Sequence, residues 1–549
     1  MTPSNHSEAR IQALLTRDEF VPVPTSLISY QSSGHVIMIG DSADLALAQS
    51  MSLNLPISPI LMSGVADESM PANTIYLAGR RLEIDGYLGS FRVTLNDGSG
   101  STEVVSADLV VDLNKQAIIN LEILPPGYLH RNIQQMGVEA LSQELSEMTG
   151  TFEKPKYFHY DASICAHGVN GVQFCTQCID ACPADAIISL GEKIEVNPFL
   201  CQGGGVCATA CPSGAIRYVY PSLADSGNQI RKMLNSYREQ GGHQAIVVFY
   251  SGDEVEAAEQ SILSSHSEML PVRVEELASV GMDLCLSALV YGASQVILLV
   301  NPNAPKSALE VLERQLGWVK AMLVGLEINA DRISLIDDLT DRITDNINSL
   351  SMTELSIGSW QIEPAIYTMP DKKRNAIYQA IDHLYQQSTK QQEQIELPAG
   401  APFGTATIDS KSCTLCLACV GACPGKALQD GSNREVPEVF FIESNCIQCN
   451  VCTLTCPEQA IEITPRIIFD REKRNRSRAL NQDTPFACIG CGKAFAPTSV
   501  IAKMTEKLKD HYMFRGPRAL DRLKMCEDCR VVDIVQDDAA MSGRFDTLN

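Results

Sequence analysis

The stretch CTLCLACVGACP at residues 413–424, with its near copy CIQCNVCTLTCP at residues 446–457, decides how the rest of the chain is read. Both follow the spacing Cys-x2-Cys-x2-Cys-x3-Cys-Pro. Working outward, a looser pair lies upstream: Cys165-x9-Cys175-x2-Cys178-x3-Cys182-Pro183 and Cys201-x5-Cys207-x3-Cys211-Pro212. The last two cysteines of every run share one frame, Cys-x3-Cys-Pro-x2-Ala-(Ile/Leu), at 178–187, 207–216, 419–428 and 452–461. Four more cysteines form the pairs Cys488/Cys491 and Cys526/Cys529. Of the 20 cysteines only Cys285 then stands alone.

A cubane iron–sulfur cluster asks for this spacing, because each of its four irons takes one thiolate. Three cysteines at two-residue gaps wrap a loop round one cube, and the fourth reaches across to the other. Crossing assigns Cys413, Cys416, Cys419 and Cys456 to one [4Fe–4S] centre. It assigns Cys446, Cys449, Cys452 and Cys423 to a second. The proline has no N–H to donate and halts regular structure, and the Ala-Ile pair is expected to pack a short helix on the core. Zinc sites rarely run four cysteines at this spacing. The motifs resemble the two-cluster bacterial ferredoxins, which shuttle single electrons without making bonds.

The amino-terminal pair departs from that pattern twice. An insertion, Ala166–Phe174, displaces the first cysteine upstream, leaving Cys165, Cys175, Cys178 and the crossing Cys211 for one [4Fe–4S] cluster. In the second run Gly204, within Gly203-Gly204-Gly205, stands where a cysteine is expected. That cluster has only Cys182, Cys201 and Cys207. A three-thiolate cube either loses its unliganded iron to become [3Fe–4S], or remains [4Fe–4S] with water or an oxygen or nitrogen ligand. His167 is a conceivable stand-in, read here as a surface-loop histidine beside the other cluster.

Two Cys-x2-Cys knuckles make chelating turns, and two turns complete a tetrahedral S4 site. Cys488, Cys491, Cys526 and Cys529 therefore read as a structural zinc site, with Cys488-Ile-Gly-Cys491-Gly-Lys resembling a zinc ribbon. A rubredoxin-like iron is the alternative. Twenty cysteines without an apolar leader argue for a reducing compartment and against structural disulfides.

Composition narrows the partners. The 549 residues suggest about three to five domains, and 43 Lys+Arg against 66 Asp+Glu give a net charge of −23. Phosphate backbones and anionic lipid repel such a chain, so neither nucleic acid nor a membrane surface is expected. No apolar run approaches the roughly 18 residues of a spanning helix. The expectation is a cytoplasmic protein.

Between the cysteines the hydrophobic pattern is α/β. His35–Gly40, Ile57–Ser63 and Thr74–Ala78 read as strands and Ser42–Met51 as a helix. Gly40-Asp41-Ser42 lacks the full dinucleotide fingerprint and reads as an ordinary turn. Gly86–Val93 reads as an alternating strand with a glycine kink, and its Gly-Phe pattern resembles a segment of the heterodisulfide reductase A subunit family. Pro125–Tyr128 breaks the chain before a helical stretch, Ile133–Met148. Over residues 243–340, Ala245–Tyr250, Leu270–Val274, Gln295–Val300 and Arg332–Ile336 alternate with helices at Asp253–Ser264, Met282–Tyr291 and Pro305–Leu326. This is the rhythm of a flavodoxin-like parallel sheet. It resembles the delta subunit of methyl-viologen-reducing hydrogenase, but Cys285 alone cannot hold that family's cluster and reads as a core thiol. A flavin is compatible with this domain, though no residue demands one. Asp371–Glu393 reads as a polar helix and Pro398–Pro402 as a linker. Arg471, Lys473, Arg474, Arg476 and Arg478 form a basic loop, a candidate dock for an acidic redox partner.

The division is an α/β domain (1–155), a first ferredoxin module (156–222), a flavodoxin-like α/β domain (223–355) and a helix with linker (356–404). A dicluster ferredoxin module (405–466) and a zinc-ribbon-like four-cysteine domain (467–549) complete a multidomain α/β plus α+β chain. The module order resembles the poly-ferredoxin proteins that accompany proteobacterial formate dehydrogenases. Leu109–Tyr128, Phe158–Tyr220, the ferredoxin pair and Arg522–Arg530 carry that resemblance. It implies an electron-transfer subunit with three to four clusters and a formate dehydrogenase as redox partner. An assembly or regulatory factor for a molybdoenzyme and a flavin-containing oxidoreductase subunit are the alternatives. No Ser/His/Asp array, Walker motif or HExxH is present, and no catalytic residue is assigned.

Overall fold

A computed structural model describes residues 4–49, 55–62, 73–77, 79–97, 102–169, 171–252, 255–336, 362–388, 392–431, 436–514 and 516–537. The boundary expected at 355/356, and the ends of the expected elements at Met51, Ser63, Ala78 and Asp253, lie outside these residues. The chain divides into two compact units: residues 1–161, 176–316 and 331–380, and residues 162–175, 317–330 and 381–549.

In the first unit, β-branched runs make two parallel sheets. Val36–Gly40, wholly buried, pairs in parallel with Ile57–Leu61 on one side and Leu109–Asp112 on the other. Ile75–Tyr76 and Tyr128–His130 complete five parallel strands. Both faces of this sheet are covered, as continuous apolar strands require. Val36, Met38, Leu109 and Val111 face one core, and Ile37, Ile39 and Val110 face the other. The Gly40–Ser42 turn caps its own helix: Asp41 Oδ1 accepts the N–H groups of Ala43 and Asp44, both at 3.0 Å. That carboxylate occupies the donors a phosphate would need.

Three sequence expectations for the unit change. Only Phe91–Val93 of the expected strand is strand; Gly86–Ser90 is the turn of a hairpin joining Arg81–Asp85 to Phe91–Asn96. Gly89 has φ +82°, and a Cβ there would lie 1.9 Å from Gln31 O, so only glycine fits. The helix over 133–148 is two helices, Ile133–Met136 and Val138–Glu147, broken by Gly137 at φ +86°. Pro125–Tyr128 does not simply interrupt the chain, because Tyr128 begins a sheet strand.

The second parallel sheet has the strand order Met269–Arg273, Ile246–Tyr250, Gln295–Leu299, Ile333–Ile336. In chain order this is 2-1-3-4, the flavodoxin-type winding. The helix Met282–Val290 is buried along its whole length, and Cys285 within it is fully buried.

In the second unit, Gly404–Ile408 and Ile461–Ile468 pair antiparallel, as do Leu428–Asp430 and Glu438–Phe441. Their inner faces meet in a core of Ala406, Leu415, Cys419, Ala427, Leu428, Val439, Phe441 and Ile461. Pro398–Pro402 is not a free linker. Leu397, Ala401 and Phe403 are buried around it, and Gln394–Glu396 adds a strand to Ile461–Ile468. Apolar side chains between the prolines carry the stretch into the core. The carboxy-terminal residues form a hairpin, Pro485–Ala487 with Ala494–Pro497, and the helices Thr498–Leu508, Pro517–Arg522 and Glu527–Val535. Among the described residues no helix is long and apolar enough to cross a membrane.

Candidate metal centres

All four copies of the repeat share one backbone course. The residue three positions after the last cysteine is left-handed each time: Asp185 (φ +48°), Gly214 (+73°), Lys426 (+52°) and Gln459 (+51°). That kink turns the following alanine N–H back toward the sulfur. Ala186, Ala427 and Ala460 donate to Cys182, Cys423 and Cys456 Sγ at 3.4, 3.3 and 3.4 Å. In the fourth copy the Ser213 hydroxyl accepts from Ala215 N–H instead and lies 3.6 Å from Cys211 Sγ. Donors aimed at a thiolate favour its charged form, which is the form a metal needs. Ala-Ile does not open a helix, as expected from sequence, but a strand: Ile187–Leu190, Ile216–Tyr218, Leu428–Asp430 and Ile461–Ile468. The short helices precede the Cys-Pro step, at Gln177–Asp180, Val206–Ala210, Ala418–Ala422 and Val451–Thr455. A fixed proline φ and a left-handed residue three positions on from the cysteine leave no room for a helical turn there.

In the carboxy-terminal pair, cysteines from both runs line each of two cavities. Cys413, Cys416, Cys419 and Cys456 line one, with Leu415, Val439 and Ile461 beside them. Cys423, Cys446, Cys449 and Cys452 line the other. The electrostatics group the thiols in the same way. Burial first, then the charges of Cys413, Cys416 and Cys456, push the Cys419 thiol up to about 12. Burial, with Cys423, Cys446 and Cys175 nearby, pushes Cys449 up to about 12. Four crowded thiols with limited solvent access repel one another as anions, and a cationic metal core relieves that repulsion. The donor set fits iron–sulfur clusters.

The loops between the first three cysteines of each run carry a second signature. Leu415 and Leu417 are left-handed at φ +55° and +60°, and Gln448 and Asn450 at +54° and +63°. At the matching places in the amino-terminal run stand Gly203 (+83°) and Gly205 (+69°). Gly204 therefore occupies the position of Cys416 and Cys449, and a Cβ built on it meets nothing within 4 Å. Its neighbours are crowded: a Cβ on Gly203 would lie 2.9 Å from the Tyr157 ring, and one on Gly205 would lie 2.5 Å from Ser279 Cβ. Burial, then the charges of Cys201, Cys182 and Cys178, raise the Cys207 thiol well above its ordinary value. Three cysteines, Cys182, Cys201 and Cys207, thus sit together around an open fourth place.

The other amino-terminal set is divided between the units, with Cys178 and Cys211 in the first and Cys165 and Cys175 in the second. Within the second unit the insertion forms a small hairpin, Gly168–Val169 with Val172–Gln173. His167 is not a surface residue. It is 1% exposed, and its Nδ1 lies 2.7 Å from Cys175 O, because the hairpin folds back over it.

The carboxy-terminal cysteines bring their sulfurs closer. Ligand atoms of Cys488, Cys491, Cys526 and Cys529 all lie within 4.8 Å of one another, and the Cys491 and Cys526 sulfurs are 3.7 Å apart. A single tetrahedral ion with bonds near 2.3 Å sets such an edge at about 3.8 Å; thiolates spread over four irons stand farther apart. The N–H groups of Cys526 and Gly490 donate to Cys488 Sγ at 3.2 and 3.4 Å. Backbone donors, Cys526 N–H first, hold that thiol down to about 6. The group fits one metal ion.

One residue of the basic loop, Arg474, is spent on structure, while Arg471, Lys473 and Arg476 are exposed. Arg474 is 2% exposed, pairs with Asp382 at 2.5 Å, and donates to Ile468 O and Phe469 O. Lys473 pairs with Glu393, and Arg478 with Glu443. Arg474 and Arg478 turn inward because Asp382 and Glu443 are acids with little solvent access that need cations. Arg474 is therefore no docking residue.

Sequence reasoning missed two lysines. Lys154 Nζ donates to Cys201 O and Phe199 O at 2.7 and 3.0 Å. Lys373, 8% exposed, donates to Ala208 O, Thr209 O and Cys211 O at 2.9, 2.5 and 3.3 Å. Neither lies in a motif, and Lys373 is 164 positions from Thr209; no local signal marks it.

Compared with known families, residues 412–461 match the 4Fe-4S dicluster domain and residues 194–217 the 4Fe-4S binding domain. No curated protein matches the chain. The four-cysteine cavities, the shared backbone frame and these two matches together make the chain an iron–sulfur protein with two 4Fe-4S ferredoxin-type domains.

Proposed function

We propose that this protein is a multi-cluster electron relay serving a partner oxidoreductase. The observation that carries the reading is the pair of cavities, each lined by three cysteines of one run and the crossing cysteine of the other. Cys413, Cys416, Cys419 and Cys456 hold one [4Fe–4S] cluster; Cys446, Cys449, Cys452 and Cys423 hold the second. Cys165, Cys175, Cys178 and Cys211 hold a third, and Cys182, Cys201 and Cys207 a three-thiolate centre. Bound clusters supply one-electron chemistry. The chain's own residues shield most of the thiols, donate N–H groups to some of them, and limit water with Leu415, Val439, Phe441 and Ile461. Cys175 lies near enough to Cys449 for its charge to raise that thiol, which supports exchange between neighbouring clusters. Cys488, Cys491, Cys526 and Cys529 hold zinc, as a structural clip.

The partner is a formate dehydrogenase. The likeness of Leu109–Tyr128, Phe158–Tyr220 and Arg522–Arg530 to the proteins that accompany that enzyme supports it. Protein purified anaerobically is expected to contain about 15–16 irons and about one zinc per chain. Mixed with the enzyme and formate, it should bleach in the visible. Iron near eight would leave the amino-terminal module empty. Full bleaching by dithionite but none by formate and the enzyme would remove the proposed partner.

A further inference from the structure

We infer that the site of Cys182, Cys201 and Cys207 is the high-potential end of the relay, set there by the buried cations Lys154 and Lys373. The inference rests on the reading above that these three thiols hold a cluster. Lys154 grips the carbonyl of Cys201 itself and stands 4.8 Å from the Tyr30 ring centroid. Lys373 closes the carboxy-terminal end of Val206–Ala210, the helix that carries Cys207, through three carbonyls. Three acceptors take all three hydrogens of an ammonium, whereas a neutral amine has two. This cage matches an ammonium; burial, the largest influence, lowers the pKa of Lys373, while the charges of Asp283, Cys211 and Cys207 favour the cation.

Among the described residues neither lysine has a carboxylate at ion-pair distance. Asp283, also buried, is within electrostatic reach of Lys373. Lys373 is the group that touches the cluster loop, through the carbonyls of Ala208, Thr209 and Cys211, and the charges of Cys211 and Cys207 reach it. The second unit is built the other way. Its buried Arg474 is neutralised by Asp382, and Arg466 and Arg478 both meet Glu443.

Reduction adds one negative charge to a cluster. A cation without a carboxylate in direct contact, in a medium of low dielectric, favours that charge, and net charge with hydrogen bonding is what sets cluster potentials. Gly204 acts in the same direction, since it removes one anionic thiolate. An electron delivered to the chain therefore comes to rest at the amino-terminal site.

The test is a potentiometric titration of the full-length protein at pH 7, followed by EPR. The relevant signal is identified by its loss in Cys207→Ala. It should be the first reduced. Lys154→Met and Lys373→Met should each shift its equilibrium with the carboxy-terminal clusters at least tenfold toward the oxidised form, about 59 mV for one electron. Asp283→Asn should shift it the opposite way, and Lys154→Arg should leave it in place. Reduction of this centre after the carboxy-terminal pair would overturn the inference. So would iron-replete methionine variants with unmoved signals. The wild-type order of reduction decides the matter even where a variant loses iron. Wild-type iron near eight would instead refute the underlying cluster assignment.

Discussion

The two cysteine modules use one backbone and different side chains. At the left-handed positions of the loops the amino-terminal run has Gly203 and Gly205, and the carboxy-terminal runs have Leu415, Leu417, Gln448 and Asn450. The kink after each Cys-Pro is the same in all four copies. What differs is the surroundings. Tyr157 and Ser279 press on the amino-terminal loop so closely that only glycine fits at 203 and 205, and lysines grip its carbonyls. The carboxy-terminal loops close over an apolar core, and in that unit buried Arg474 has Asp382 while Arg466 and Arg478 share Glu443. The repeat thus sets where sulfurs go, and residues from distant segments set the electrostatics around them.

The largest way to break the comparison is to remove a thiol. Cys419→Ala should cost the carboxy-terminal pair one cluster, about four irons per chain. Cys285→Ala, in a fully buried helix without cysteine neighbours of the repeat, should leave iron content unchanged. Equal losses in an iron assay would end the distinction between ligand and core thiol.

Next is the single-ion site. Removing its metal with a chelator under argon should loosen the hairpin Pro485–Ala487/Ala494–Pro497, seen as new proteolytic cleavage there, because four thiolates without a cation repel. Cluster absorbance should persist. Bleaching in parallel with cleavage would show that this site too is an iron–sulfur centre.

Buried charge comes third. Arg474→Met strands Asp382 and should cost about 3–5 kcal/mol, read as a fall in Tm. Arg476→Glu should stay within about 0.5 kcal/mol. Matching Tm values for the two would refute the buried-pair account.

The smallest effects sharpen the loop comparison itself. Gly205→Ala should cost about 1–3 kcal/mol, since its Cβ meets Ser279 backbone and φ is positive. Asn450→Gly at the equivalent place should change stability by under about 0.5 kcal/mol, relieved strain offsetting added chain entropy. Gly204→Cys has open space for its side chain and should be tolerated. In EPR of the oxidised protein it should replace a three-iron signal, where one is present, with a silent fourth cubane. A destabilisation as large as that of Gly205→Ala would mean the fourth place is not open.

Much of this was legible in the residues. Cysteine spacing is a local property of short loops, so the repeats and the position of Gly204 could be read directly. The strands at 245–250, 270–274, 295–300 and 332–336 were equally plain, since continuous β-branched runs have one stable use in a covered parallel sheet. Local signals misled where the fate of a polar or special residue depended on remote partners. The basic loop looked solvated until Asp382 drew Arg474 inside, and Pro398–Pro402 looked like a linker until Leu397 and Phe403 found a core. Sequence by itself determined the ligands available and their spacing, because covalent distance limits which thiols share a loop. Tertiary structure alone decided what surrounds them: Lys154 on Cys201, Lys373 on Cys211, and Tyr157 over Gly203. Those contacts join segments far apart in the chain, and only packing brings their charges together.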